Sequence, residues 1–414
     1  MLCLGAPRLF AGRSHDEFIS ALFGSSVAPA PYGACSVPMA DERFQLLWSH
    51  LQPGGFAQQA SCGACNDSGS YRRCGCLASA PTASAGESLA APGKFGLEGA
   101  EDLGGGCSAY LNPGPKLDGK WGYNNAGIVV GEGSSLVVDT LFDLPNTRQM
   151  LAAFDDQTRA NEITALFNTH DNGDHTFGNQ LVGGPDHPSV DIIASTACAA
   201  AFEPAGEPAG LARMMRAAKA GRGGPGLKFM HEAMGQFFDF EGVVSTPPTV
   251  TFDGSHTVQL DDEVKVELIE YGPAHTDGDA VAWVPHAKVL YAGDLLFVGG
   301  TPIVWKGPYA NWVTACDKML ELRPNIVVPG HGPLCDSRGI SAVKTYLEFV
   351  QGEARRRFDA GMGCMEACRS IDLGHYAEWA DSERLAINVD CLFKEWGGEG
   401  LDVDVWTAMQ QMGE

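Results

Sequence analysis

Thr169-His170-Asp171-Asn172-Gly173-Asp174-His175 places three strong cation-binding side chains, His170, Asp174 and His175, within six residues. Three downstream pieces extend the set. They are His275 in Gly272-Pro-Ala-His-Thr-Asp-Gly-Asp279, Asp294 in Tyr291-Ala-Gly-Asp-Leu295, and His331 in Val327-Val-Pro-Gly-His-Gly-Pro333. Neutral imidazoles and carboxylates suit a borderline ion such as zinc. Each candidate follows a short apolar run: Ile163 to Phe167, Val264 to Tyr271, Val289 to Ala292 and Ile326 to Val328. Runs of that length and β-branched content read as buried strands, with the candidates at strand ends on loops along one edge of a sheet.

This ordered set resembles the signature of the metallo-β-lactamase superfamily, His-x-His-x-Asp-His followed by a distant His, an Asp and a last His. The runs Asn125 to Val130 and Leu136 to Thr140 resemble the first strands of that fold. The resemblance implies an αββα sandwich with two metal positions. Carried over by position, the first holds His170, residue 172 and His275. The second holds Asp174, His175 and His331, with Asp294 bridging.

The sequence departs from the pattern at residue 172, which is asparagine. An uncharged amide oxygen is a weaker ligand than imidazole, so the first position loses affinity while the second keeps its full complement. Asn172 has two readings, a metal ligand or a turn residue ahead of Gly173. Three metal states follow: one zinc at the second position, two ions with a labile first, or iron or manganese at the first. His170, His275 and Asp294 are two histidines and a carboxylate, the donor type of non-haem iron oxygenases. Asp171, Asp277 and Asp279 have no slot and read as carboxylates that orient ligating imidazoles or as solvated loop charges. His15, His50, His187, His231, His256, His286 and His375 read as ordinary surface or core residues.

The formal net charge of −23 makes a nucleic-acid backbone a poor partner, because binding one relies on clustered Lys and Arg. That leaves small molecules. No apolar run reaches the ~18 residues needed to span a bilayer. The 13 cysteines form no disulfide framework and point to a reducing, intracellular compartment. Cys62, Cys65, Cys74 and Cys76 are spaced for a structural zinc, but within a Gly-, Ser- and Ala-rich segment.

Residues 1–106 read as a low-complexity extension with a short helix around Asp41 to Leu51. Arg8 and Arg13 precede the first acid, Asp16, which is compatible with an organellar transit peptide and otherwise with a cytoplasmic protein. Residues 107–340 read as the sandwich domain, with a strand at Val190 to Ala194. Within it lies a helical insertion at about 197–240, with helices near Leu211 to Ala218 and Phe229 to Phe238 broken by Gly-Arg-Gly-Gly-Pro-Gly at 221–226. The insertion reads equally as core packing or as a mobile lid. Residues 341–414 read as a helical cap, with a helix at Ser341 to Asp359 and a smaller helical stretch from Gly363 to Trp396 carrying Asp372, Trp379, Glu383 and Arg384. Trp305, Tyr309 and Trp312 read as pocket lining or as packing.

The expectation for activity is a zinc-dependent hydrolase of a small acyl compound: a thioester, lactone, ester or cyclic amide. A bound zinc lowers the pKa of its water toward ~7. Asp174 and Asp294 are the candidate catalytic residues, anchoring metal and water. No Gly-x-Ser-x-Gly elbow supports a serine nucleophile at this site. The rivals are a mononuclear iron oxidoreductase acting on a thiol or persulfide, and a non-catalytic metal-binding member of the fold. Oligomeric state carries no signal in the sequence.

Overall fold

The computed structural model describes residues 99–112, 123–202 and 207–413. The expected helix near Asp41, the transit segment and the Cys62–Cys76 cluster lie outside them.

The order of elements is β1 (Gly99–Gly104), β2 (Cys107–Leu111), β3 (Ala126–Val130), β4 (Ser134–Val138), α1 (Leu144–Ala153), β5 (Glu162–Phe167), α2 (Gly173–Thr176) and β6 (Asp191–Ser195). The insertion helices α3 (Glu207–Lys219) and α4 (Pro225–Met230) follow, then β7 (Val250–Phe252), β8 (Ser255–Gln259), β9 (Lys265–Glu270), β10 (Ala280–Val284) and β11 (Val289–Phe297). The chain continues through α5 (Tyr309–Glu321), β12 (Ile326–His331), α6 (Ser337–Asp359), α7 (Cys364–Ser370), α8 (Leu385–Glu395) and α9 (Val405–Gly413).

The strands form two sheets, one of seven in the order β1 to β7 and one of five in the order β12-β11-β10-β9-β8. Alternation along each strand divides its side chains between two cores. Val129, Leu136, Phe167, Ala282 and Tyr291 face the space between the sheets. Ile128, Val137 and Leu166 instead meet Met150 and Phe154 of α1 on the outer face. On the other side Val281, Trp283 and Leu290 meet Trp312 and Met319 of α5 and Tyr346 and Val350 of α6. The central strands are therefore covered on both faces, which is why β10 and β11 are buried along their whole length. Each fully buried aliphatic side chain here contributes roughly 1.5–3 kcal/mol of transfer free energy. This is the expected α/β/β/α layering. Tyr291 pins the layers together: its hydroxyl donates toward the carbonyls of Ser108 (3.0 Å) and Ile128 (3.2 Å), and its ring fills the space a side chain at Gly127 would need.

The structure departs from expectation in several places. The sheet begins at Gly99, inside the stretch read as an extension, because β1 pairs with β2. Where the sequence suggests a helix from Asn146 to Phe154, helix α1 starts earlier, at Leu144, because Asp143 caps it, accepting from Asn146 N at 2.8 Å, with proline in its first turn. Asp294 lies inside β11, not at a strand end. Pro225 and Gly226 belong to helix α4 and do not break it, since proline suits a first helical position. The helix stops at Met230 and turns through a wide coil, His231–Gly235, so Phe238 lies outside it. The insertion is packed: Met215, Met230 and Phe240 bury against Phe142, Leu144 and Phe177. Gly226 sits where a side chain would meet Asp404 and Thr407 at the start of α9. Tyr309 and Trp312 are fully buried and serve the core, not a pocket. Among the described residues no helix is long and apolar enough to cross a membrane.

Candidate metal centre

The expected residues converge at the edge where the two sheets meet. His170 and Asn172 leave β5 and enter α2, which carries Asp174 and His175. His275 lies between β9 and β10, and His331 ends β12. Asp294 reaches the cleft because the β11–β12 pairing slips around Gly293. Gly293 takes a left-handed φ of 51° and packs on Thr169, and a side chain at Gly330 would displace the Asp294 carboxylate.

Two groups result, His170, His275 and Asp294, and Asp174, His175, His331 and Asp294. Asp294 serves both with different oxygens. Its Oδ2 lies 3.6 Å from His170 Nε2 and 3.3 Å from His275 Nε2; its Oδ1 lies 3.0 Å from His175 Nε2 and 3.2 Å from His331 Nε2. Asp174 Oδ2 stands 3.5 Å from His175 Nε2 and 3.3 Å from His331 Nε2. Donors bound at 2.0–2.2 Å around a tetrahedral zinc are ~3.4 Å apart, so these spacings fit.

The hydrogen bonds behind the ring fix which nitrogen points inward. His275 Nδ1 donates to the Ile303 carbonyl (2.6 Å) and His331 Nδ1 to the Tyr123 carbonyl (2.8 Å). His175 Nδ1 meets the Asp139 carboxylate at 2.9 Å. The Thr169 hydroxyl donates to Asp139 Oδ2 (2.8 Å), so toward His170 Nδ1, 3.0 Å away, it accepts. All four Nδ1 protons are thus committed, and all four Nε2 atoms turn lone pairs toward carboxylate oxygens. His170 Nε2, His175 Nε2 and Asp294 Oδ1 are buried with no hydrogen-bond partner. Facing acceptors at this range require a proton or a cation between them.

Electrostatics agree. Burial, helped by the neighbouring His175, drives His170 well below the ordinary histidine value, and burial lowers His275. Burial also opposes charge on His175 and His331, but Asp294 and Asp174 overcome it, lifting His175 well above and His331 to about 9. Burial works to raise Asp294, yet His331, His175 and His170 hold it well below the carboxylate range.

Asn172 directs its amide oxygen at His275 Nε2, 3.1 Å away, and does not cap α2 with it. Asp279 braces the His275 loop, accepting from the Thr276 N–H and hydroxyl (2.6 Å) and from Ala274 N. Asp277 pairs with Lys306 on the surface (3.1 Å), and Asp171 is partly buried beside His170. Asp139 was not singled out in the sequence. It orients His175 and Thr169 from a left-handed φ of 59°, and its one signal is an acid closing the Leu136–Val138 strand. Arg384, given no role by the sequence, is buried near His331.

The fold brings together two groups of histidine and carboxylate side chains that could each hold a metal ion and that share Asp294. The chain belongs to the metallo-beta-lactamase superfamily, whose model matches residues 119–331. It is similar to the 2,4-dinitroanisole O-demethylase subunit alpha of Nocardioides sp. strain JS1661, with 25% identity over 205 residues, 49% of this chain and 51% of that one. Among solved structures it is similar to the stereoselective inverting sec-alkylsulfatase Pisa1 from Pseudomonas sp., with a TM-score of 0.53, 15% identity and coverage of 73% of this chain and 50% of that one. The chain therefore spans about half the length of these relatives.

Proposed function

We propose that the protein is a metal-dependent hydrolase of a small organic substrate, with an acyl compound (thioester, lactone, ester or cyclic amide) as the leading class. The observation that carries this reading is the set of four inward Nε2 lone pairs around the two oxygens of Asp294. When bound, zinc at this centre would supply an activated water near neutral pH and polarise the substrate bond. His170, His275, Asp294 and Asn172 would hold one ion; Asp174, His175, His331 and Asp294 would hold the other. Asp174 would also take the proton released by the attacking water and hand it to the departing group, a task a metal-bound water could share; it is the most exposed carboxylate of the set, with 11% of its side-chain surface accessible against 4% for Asp294.

Beside the centre stand partly buried aromatic side chains. Tyr123 packs on His331 and Phe238 on Tyr123, and Trp305, whose backbone N–H donates to the His275 carbonyl, packs with Phe229 and Trp406. Such walls favour a substrate with an apolar or aromatic body. The relatives' names widen the test panel to alkyl sulfate esters and aryl methyl ethers.

The first group, two histidines and a carboxylate, is also a donor set for mononuclear iron. Metal analysis of protein purified without added metal, with oxygen uptake on thiol and persulfide substrates, separates the readings. Zinc with no oxygen uptake and turnover of a panel member supports the hydrolase. Iron with thiol-dependent oxygen uptake replaces it with the oxidoreductase. Uniform inactivity of fully loaded protein leaves a binding member of the superfamily.

A further inference from the structure

Arg384 is 7% exposed, a costly position for a permanent charge. Its guanidinium donates from Nη2 to the Tyr123 hydroxyl (2.8 Å) and from Nη1 to the Thr301 carbonyl (3.2 Å). Nη2 also lies 2.8 Å from the half-exposed Asp381 carboxylate, and the plane sits 5.7 Å above the Phe297 ring. Tyr123 and Phe297 are the two side chains that grip His331. Phe297 stacks on the imidazole at 4.8 Å with an interplanar angle of 9°. Tyr123 meets it edge-on at 4.9 Å and takes its Nδ1 proton on the backbone carbonyl.

One guanidinium thus touches both walls of the slot that holds His331. A planar fork with two donor arms above an aromatic face can do this; an ammonium cannot serve all three contacts at once. Arg384 also lies beyond the family match, which ends at His331. The grip on this ligand therefore comes from the C-terminal helical region, at the turn Ser382–Arg384 that leads into α8.

We propose that Arg384 is a positioning residue for the second cation group. It fixes the His331 imidazole through Tyr123 and Phe297 and so ties the C-terminal helical region to the metal centre. The proposal rests on the metal-centre reading above. Arg384 need not touch substrate or metal. Its effect is on the orientation of one donor, so it acts on one ion and not the other.

The test is zinc binding by the full-length chain, resolved into two steps by competition with a chromophoric chelator. The cobalt absorption spectrum serves as a second readout, and His331→Ala identifies the step belonging to the second group. Arg384→Met is expected to weaken that step by about tenfold to hundredfold, as for other partners that orient a ligand, and to leave the first step unchanged. Tyr123→Phe, which keeps the ring and the carbonyl, should give part of the same loss. The double variant should be no worse than Arg384→Met, because both act through one linkage. Wild-type affinity at the second step in both single variants overturns the proposal, whatever the melting temperature does. Equal weakening of both steps also overturns it, since that is general loosening. If Arg384→Met does not fold, Tyr123→Phe decides by the same measure. Wild-type protein that binds no zinc overturns the metal-centre reading and this proposal together. Wild-type binding with unaltered variants overturns the proposal alone.

Discussion

The amide oxygen of Asn172 stands 3.1 Å from His275 Nε2, a nitrogen whose proton lies on the far side of the ring, on Nδ1 toward Ile303. Two acceptors face each other at the spacing of two donors on one cation. A neutral oxygen in that place binds a divalent ion less strongly than imidazole does. Asn172→His should therefore raise the affinity of the first step by on the order of tenfold, ~1.4 kcal/mol, and increase the metal retained after dialysis. Unchanged stoichiometry and affinity would show that residue 172 does not address the ion.

His175 and His331 share Asp294 Oδ1 and Asp174, while His170 and His275 share Asp294 Oδ2. Removing either member of the first pair should strip the second ion and leave the other in place. His175→Ala and His331→Ala are expected to bind one zinc and to reduce hydrolysis to the level of chelated protein. Turnover retained in either, measured on whichever panel substrate the parent accepts, would move the working ion to the first group.

Asp139 fixes the tautomer of His175, since Oδ2 receives both the His175 ring proton and the Thr169 hydroxyl. Asp139→Asn keeps the volume and can keep the Oδ1 contact with Thr169 N. An amide nitrogen in place of Oδ2 would oppose the His175 Nδ1 proton and favour the wrong tautomer. Metal affinity should fall by about 10–100-fold with the fold intact by circular dichroism. Undiminished zinc binding would mean His175 is held by its packing alone.

The candidate ligands were legible because each follows an apolar run and stands beside a glycine or turn, a pattern that survives any detail of packing. What escaped the sequence is of three physical kinds. Edge strands such as β8, Ser255–Gln259, alternate exposed and partly buried positions and so carry no apolar run. The place of Asp294 inside β11 depends on a slip in strand register at Gly293, which hydropathy does not record. Asp139 and Arg384 act by contact across 36 and 261 residues of chain, with His175 and Tyr123 respectively, and composition around either says nothing of its partner.

The pH dependence of the metal-free protein follows from the same cluster. His331, lifted to about 9, and His175, lifted well above its ordinary value, hold protons when folded that they release when unfolded near 6.5. Their stabilisation is complete below about 6.5 and disappears as pH rises through the folded values, on the order of 3 kcal/mol for His331. Burial raises Asp279 to about 8 against the hydrogen bonds from Thr276, so its contribution also declines as pH rises to that value. His170 and His275, lowered chiefly by burial, act in the opposite sense: their contribution holds above 6.5 and fades as pH falls. The metal-free protein should therefore be most stable near pH 6.5, with its melting temperature falling toward pH 9. Zinc replaces the protons on His175 and His331 and competes with them, so the loaded protein should gain stability over the same interval. Melting curves of chelated and zinc-loaded protein from pH 5 to 9 would test this, and parallel profiles would contradict it.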